Sequence, residues 1–552
     1  MLTLAANALA PLMFAALIFI LLLGYPVAFS LGALGLFFYA LGVWLTPFSL
    51  GLIHLDWSLL QALPERVFSI MTNETLLAIP FFTFLGLVLE RSGIAEDLLT
   101  TMNEVYGGLR GGLAYAVIFV GTLLAATTGV VAASVISMGL IALPLMLRTG
   151  YHRALSCGVI AASGTLAQIM PPALVLIVLA DQMQQSVSAM YRAAFVPALL
   201  LSVLFALLIA LLSWLRPDLM PALPIKKDHR HDHRKALVTV VILALWQGGI
   251  SFWVLTSLHI IATFESACVW AGVITLAGLC LAALYDQRRS KPLLSELTHR
   301  IILVMTPPLA LIFIVLGSII IGLATPSEAG ALGCFGALGL AALKQRLTRT
   351  MLTDVLERTV RLTSFAIFIL IGARIFSLTF FAIGGQEFIE KSLTYLPYGR
   401  IGFLIFVNIA LFILAFFLEF FELAFIVIPF ILPAAIHLGI DLVWLGVIIG
   451  LNVQTSFMHP PFGYSLFYLR SVAPHEPYID RVTGALIAPV TTAQIYLGAI
   501  PFVIIQVIMV GIVIAFPSLL RLTDATKDLV PAAHIEETLR AIPSLPPKPF
   551  VP

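Results

Sequence analysis

CGVIAASGTLAQIMPP, Cys157 to Pro172, is an apolar stretch broken by Ser163-Gly164-Thr165 and again by Pro171-Pro172; GVIIGLNVQTSFMHPP, Gly446 to Pro461, is built the same way. Proline supplies no amide hydrogen and clashes with the turn before it, so a helix cannot run through either pair unbroken. Non-helical backbone at membrane depth is tolerated only where protein or a water-filled cavity covers it. Two interrupted apolar segments at matching places in two parts of a chain point to the binding site of a transporter.

The composition says what surrounds these stretches. Of 552 residues, 61% are hydrophobic and 11% charged. A mean hydropathy of +1.07 leaves almost no water-facing surface, so the chain reads as an all-α polytopic membrane protein. With a net charge of +2, nucleic acid is not an expected partner; the placement of Lys and Arg carries the information. No GxxxxGK(S/T) phosphate loop occurs, so ATP hydrolysis by this chain is not expected. Cys157, Cys268, Cys280 and Cys334 lie in apolar segments without metal-ligand spacing and are expected as small core side chains. The apolar start lacks a basic region and reads as a retained membrane helix rather than a signal peptide.

Working outward, residues 111–148 are too long for one simple span. TTGVVAAS, Thr127 to Ser134, interrupts them, and Arg110 and Arg148 flank them. Because Lys and Arg favour the cytoplasmic side, this predicts a re-entrant hairpin with a protein-covered tip. The broken helix follows at 155–180, then a helix at 193–215. The linker KKDHRHDHRK, Lys226 to Lys235, reads as a solvated cytoplasmic signal, with metal binding by His229, His231 and His233 the lesser alternative. Two extra helices fall within 226–300. Beyond them, Thr325-Pro326-Ser327-Glu328 interrupts another apolar run, Thr350 to Arg361 reads as an amphipathic surface helix, and a separate helix at 362–383 carries Arg374. A second over-long run, 401–438, is interrupted by LEFFEL with Glu419 and Glu422; the second broken helix is expected at 442–469 and a last helix at 495–519. The tail, 521–552, is rich in proline and charge and reads as mobile.

An offset of 289 residues carries Pro144 onto Pro433, Gly150 onto Gly439 and Pro171-Pro172 onto Pro460-Pro461 without a gap. Residues 1–225 and 301–520 are therefore expected as two repeats, each with a re-entrant hairpin (111–148, 401–438) and a broken helix (155–180, 442–469). Charge gives their orientation. Arg148 and Arg153 mark one hairpin's mouth, the loop His437 to Asp441 at the other's has no Lys or Arg, and neither do residues 1–65. Counting helices between them predicts inverted topology and an external N-terminus.

Breaking a helix frees carbonyls at one half-helix end, which coordinate cations, and amides at the other, which attract anions. Thr127, Thr128, Gly129 and Ser134 with Ser163, Gly164 and Thr165 supply hard oxygen donors and close-approach backbone without a carboxylate, which suits a monovalent cation such as Na+. Asn452, Gln454, Thr455 and Ser456 offer the same beside Glu419 and Glu422. Small residues that merely let helices pack are the competing explanation. Glu328, Glu419, Glu422 and Arg374 are ionisable groups at membrane depth and so functional candidates. Arg374 could neutralise an anionic substrate or pair with one of the glutamates. His459 reads as a packed neutral histidine, with proton carriage the alternative.

These residues resemble a known family. GLATPSEAGALG (322–333), GTLLAATTGVVAAS (121–134), LRTGY (147–151), ASGTLAQIMPPA (162–173) and NVQTSFMHPPFGYSLFYLRSVAP (452–474) are similar to the large membrane subunit of tripartite ATP-independent periplasmic (TRAP) transporters, the DctM-like permeases. The resemblance implies an elevator-type secondary transporter in a bacterial inner membrane that imports an organic acid anion with Na+ as coupling ion and no covalent cofactor. Its implied partners are a periplasmic substrate-binding protein and a small four-helix membrane subunit. It carries ion-binding roles to Thr128, Gly129, Ser163, Gly164, Thr165, Asn452, Gln454 and Thr455; Arg374, Glu419, Glu422 and Ser456 are the substrate-site candidates. The tip Thr127-Thr128-Gly129-Val130 stands where members usually carry a Ser-Gly-Ser-like tip, and the helices within 226–300 are an insertion relative to shorter members. Two other readings stand beside it: a stand-alone ion-coupled anion transporter of related fold, and an intramembrane enzyme using Glu419, Glu422 and His459. An enzyme is not expected, because no nucleophile accompanies these groups.

Overall fold

Glycine and proline cut this chain into helices at nearly every place where the apolar runs are interrupted. The computed structural model describes residues 2–48, 55–222, 227–257, 263–289, 292–480 and 482–523. Two apolar helices open it, α1 (Leu2–Leu22) and α2 (Val27–Leu45), divided by Gly24 at φ +80° and Pro26. A short helix α3 (Leu63–Met71) follows, then the bent pair α4 (Ala78–Arg91) and α5 (Ile94–Tyr106), which turn by 56° at Gly93.

The first over-long run folds as α6 (Gly112–Thr128) and α7 (Val131–Arg148), a helical hairpin turning on Gly129 at φ +59°. The first broken helix consists of α8 (Arg153–Thr165), an irregular stretch holding a cis Pro171-Pro172 bond, and α9 (Leu174–Gln182). The long helix α10 (Val187–Leu215) closes this half, and the extra pair α11 (Lys227–Ser257) and α12 (Phe264–Gln287) stands between the halves.

The second half opens with α13 (Glu296–Ile320) and α14 (Pro326–Leu343), then α15 (Arg349–Ala382) and α16 (Gly385–Thr394). Its hairpin has α17 (Gly399–Leu414) as one arm; the other is the one-turn α18 (Phe420–Glu422), a π-helical turn over Leu423–Val427 and α19 (Ile428–His437). The second broken helix is α20 (Leu442–Ser456), a loop with a cis Pro460-Pro461 bond, and α21 (Tyr464–Val472). A two-stranded hairpin, β1 (Tyr478–Ile479) with β2 (Leu486–Ile487), leads to α22 (Thr492–Ala515). Among the described residues, ten helices are long and apolar enough to cross a membrane, or up to twelve if each bent pair counts as one span. The protein is an all-α polytopic membrane protein.

Packing crosses the halves. α2 lies along the long α15, and α14 lies along α4, so helices from before and after the inserted pair pack against one another. Ion pairs reinforce this at one end: Arg300 with Glu104 at 2.8 Å, Arg91 with Asp354 at 2.8 Å, and Lys344 with Asp97. Their exposure limits each to about 1 kcal/mol or less. α8 and α20 are buried almost throughout. Bilayer hydrocarbon requires this for helices that end in irregular backbone, since every freed polar group needs cover.

Some expectations are corrected. Thr350 to Arg361 is no separate surface helix but the first turns of the continuous α15. Nothing breaks it, because Arg361-Leu362 carries neither glycine nor proline. Glu328 caps a helix: it is exposed on the chain and accepts the Thr325 N–H at 2.8 Å while Thr325 Oγ1 accepts the Glu328 N–H at 3.3 Å, a capping box that starts α14. Cys157 and Cys334 are buried as expected, but Cys280 is only partly covered and Cys268 is exposed. From Lys227 the basic linker is already helical as the start of α11, whereas the side chains of His229, His231 and His233 lie outside the described residues, as does the tail beyond Thr523.

Candidate functional site

The first hairpin holds the first broken helix by close approach. A methyl group added to Gly121 would lie 2.5 Å from Ser163 Cβ, and one on Gly164 would lie 2.3 Å from Val135 Cγ2. Both arms therefore touch the last turns of α8; Ser163 and Gly164 are still helical, and the break comes after Thr165 rather than at Ser163-Gly164-Thr165, where the sequence suggested it. The tip reaches further down: an added methyl on Gly129 would sit 3.5 Å from Leu174 N and 3.6 Å from Pro172 O. The hairpin arms thus form a seam with Ser163 and Gly164 through Gly121 and Val135, whereas Gly129, with Thr128 next to it in the chain, meets the later part of the broken helix at Pro172 and Leu174.

The hydroxyls at this seam donate to their own helices. Ser163 Oγ donates to Val159 O at 2.7 Å and Thr165 Oγ1 to Ala162 O at 2.9 Å, both side chains fully buried. A donating hydroxyl keeps two lone pairs, so each turns an acceptor oxygen outward. Thr455 Oγ1 and Ser456 Oγ do the same on α20, to Leu451 O at 2.9 Å and Asn452 O at 3.0 Å.

The second unit is tied differently. Asn452 Nδ2 donates to Asn408 O at 2.7 Å, joining α20 to the hairpin arm α17. Gln454 is fully buried, and among the described residues neither its Nε2 nor its Oε1 has a hydrogen-bond partner. A buried amide in an apolar interior costs several kcal/mol if left so, on the order of a lost pair of hydrogen bonds. An orphaned amide oxygen two residues from Asn452 is the donor type a hard cation takes. The two broken helices also meet, since a methyl added to Gly450 would lie 3.1 Å from Ile169 Cδ1, while one on Gly446 would lie 2.5 Å from Met190 Cε in α10.

Glu419 and Glu422 cap the second hairpin's return arm. Glu422 is 5% exposed, and its Oε2 accepts the Glu419 N–H at 2.8 Å. The charges of both act on Tyr464, and that of Glu419 on Tyr468, both in α21. Arg374 lies apart from this pair in its contacts. It lines a cavity of about 570 Å³ with Asp181, Gln386, Glu390 and His437, and the charges acting on it are Asp181 and Arg66. Of the two partners open to it, the structure supplies neither glutamate: the facing carboxylate is Asp181, which also accepts from Asn73 Nδ2 and Gln182 Nε2, each at 2.8 Å. His459 is a packed histidine. Its Nδ1 lies 2.7 Å from Ser456 O, and its ring stacks on Phe416 at 4.1 Å.

Several polar groups escaped the sequence reading. Asp181 looked like the end of an apolar run. Asn408, in FLIFVNIALFIL, and Gln506, in PFVIIQVIMVGIVIAF, are lone amides in spanning helices, a signal that would have found them. Gln506 is 1% exposed and its Nε2 donates to Thr165 Oγ1 at 3.3 Å. Among the described residues no group of three His, Cys, Asp or Glu side chains is placed to hold a metal ion.

Comparison with known proteins agrees with this architecture. The family profile described as tripartite ATP-independent periplasmic transporter, DctM component, matches residues 14–519. The C4-dicarboxylate TRAP transporter large permease protein DctM of Pseudomonas aeruginosa is 28% identical over 75% of this chain and 81% of its own length. The sialic acid TRAP transporter large permease protein SiaM of Vibrio cholerae is 23% identical over 85% and 90%. The isethionate TRAP transporter permease protein DctMQ of Oleidesulfovibrio alaskensis is 24% identical over 89% and 65%. Among solved structures, the YdaH transporter of Alcanivorax borkumensis shares the fold with a TM-score of 0.50 at 15% identity, covering 89% of this chain and 99% of that one. With the paired hairpins and broken helices in place and the profile spanning nearly the whole chain, the protein belongs to the tripartite ATP-independent periplasmic transporter family as a DctM component, a large permease.

Proposed function

We propose that this permease imports an organic acid anion across a bacterial inner membrane, driven by an inward Na+ gradient and supplied by a periplasmic binding protein, with a small four-helix membrane subunit as partner. The observation that carries the reading is the pair of buried broken helices, each edged by side-chain oxygens: Ser163 and Thr165 on one, Asn452, Gln454 and Thr455 on the other. Carboxylates are absent from both sets, which favours a singly charged ion over Ca2+ or Mg2+. Thr128, Gly129 and Gly164 complete the first ion site with backbone carbonyls. Arg374 receives the anion's charge, while Glu419, Glu422 and Ser456 shape the second hairpin's side of the substrate path. The relatives are named for C4-dicarboxylate, sialic acid and isethionate, all organic anions. In this reading the halves, 1–225 and 301–520, are repeats of opposite orientation with an external N-terminus, and the hairpins with α8, α9, α20 and α21 move as an elevator against the cross-braced helices.

The test is uptake into vesicles holding the permease with its two partners. Accumulation requires the binding protein and an inward Na+ gradient. Uptake unaffected by collapsing every ion gradient overturns the coupling, and transport by this chain alone replaces the three-part scheme with a stand-alone carrier.

A further inference from the structure

The cavity that Arg374 lines is built from both halves of the chain. Asp181 and Gln182 come to it from the end of α9, Arg374 from α15, Gln386 and Glu390 from α16, and His437 from the end of α19. At about 570 Å³ it lies within the range of small-ligand sites. Gln184, Gln386 and His437 in its lining are exposed, so a solute can enter from the end where α9 and α19 finish.

Its charges are unequal. Arg374 is the one permanent cation of the lining, and Asp181 and Glu390 are its two carboxylates. Among the described residues the Arg374 guanidinium makes no hydrogen bond and no ion pair within 4.0 Å; the charge of Asp181 acts on it from beyond that distance. Its donors are therefore open to a ligand carboxylate, which a guanidinium takes through two parallel bonds. Asp181 is a fixed acceptor. Asn73 Nδ2 holds one of its oxygens and Gln182 Nε2 the other, each at 2.8 Å, and each oxygen keeps a lone pair for a further donor. Glu390 Oε1 lies 3.6 Å from His437 Nδ1, too far for a hydrogen bond.

A ligand whose carboxylate sits on Arg374 meets Asp181 and Glu390 with the rest of its body. Hydroxyl or ammonium groups there donate to these oxygens. A second carboxylate instead brings a like charge toward two carboxylates that, among the described residues, no Lys or Arg within 4.0 Å offsets.

We propose that this cavity selects an acid with a single carboxylate and hydrogen-bond donors, hydroxyl or ammonium, on its remaining carbons, and discriminates against dicarboxylates, a specificity that rests on Arg374 being the anion's site in the proposed function. Arg374 binds the carboxylate, and Asp181 and Glu390 set the preference.

The full chain in nanodiscs, in Na+ buffer, is treated with phenylglyoxal, which modifies guanidinium groups. Adducts at Arg374 are followed by mass spectrometry against the exposed Arg216 as internal standard. D-Gluconate and β-alanine slow the reaction at Arg374, and acetate, which lacks the donors, protects less. Succinate needs an about tenfold higher concentration for the same protection, the penalty of a like charge in a partly exposed site. Asp181→Asn and Glu390→Gln each remove one negative charge and bring succinate to within about threefold of gluconate; Glu390→Gln serves alone if Asp181→Asn does not fold. Protection by only one of gluconate and β-alanine upholds the single-carboxylate rule and fixes the donor as hydroxyl or ammonium. Succinate protecting as well as gluconate overturns the proposal. So does a gap that the substitutions leave unchanged, or an Arg374 that phenylglyoxal never reaches or that none of these solutes shields. Protection is read at equilibrium without binding protein or ion gradient, so a failure of Na+-driven import shows only in the uptake assay.

Discussion

The register that lays Pro171-Pro172 on Pro460-Pro461 also lays Ser163 on Asn452 and Gly164 on Val453, yet the two positions are held by opposite means. In the first unit, Gly121 and Gly164 let the hairpin arms and α8 approach until no added carbon would fit, and Ser163 bonds only within its own helix. In the second, Asn452 reaches across to Asn408 O, and the tip is longer and capped by Glu422. Close approach fails when an atom is added, whereas a polar tie fails when one is removed. The first unit is thus a packed seam with hydroxyls to spare, the second a hydrogen-bonded one with an orphaned amide at Gln454.

The largest expected effect follows from the seam. Gly164→Val should cost about 3 kcal/mol, at the upper end for overpacking, and abolish uptake; a thermal melt in nanodiscs within a degree of the unaltered protein would show that the seam is loose. Next, Glu422→Leu strips the Glu419 N–H of its acceptor at a buried tip, a loss of about 1–3 kcal/mol. Glu422→Gln retains an oxygen there and should restore most of that stability, so equal damage from both would mean the charge, not the cap, is what matters. Asn452→Leu should lose about 1 kcal/mol, as inter-helix hydrogen bonds in membranes do. Smallest in stability are Ser163→Ala and Gln506→Leu, about 0.6 kcal/mol or less. Under the proposed function each should still raise the Na+ concentration needed for half-maximal uptake, and an unchanged Na+ dependence in both would remove the first seam from the ion site.

The turns at Gly129, Pro171-Pro172 and Pro460-Pro461 were legible because glycine and proline disfavour a continued helix locally, although context decides the outcome, since Pro307-Pro308 lie within the continuous α13. At Thr325-Pro326-Ser327-Glu328 the polar interruption is a capping box that starts α14. The same local logic misled at Thr350–Arg361, where a polar face suggested a separate element but no residue ends the helix. Arg374 shows the limit most clearly. Its helix and its position in the helix were readable, but its facing carboxylate, Asp181, comes from a helix nearly two hundred residues away.

By itself, then, the sequence determined the membrane setting, the two interrupted segments, their shared register and the family. All of these depend on composition and on residues whose backbone preferences travel with them. Only the tertiary structure decided which groups come together: Gly164 against Val135, Asn452 with Asn408, Gln506 with Thr165, Arg374 in one cavity with Asp181, and the inserted α12 as one wall of a crevice. Those pairings arise because apolar helices in a bilayer have little hydrophobic force to sort them. Shape and a few polar atoms, spread across distant helices, choose the partners.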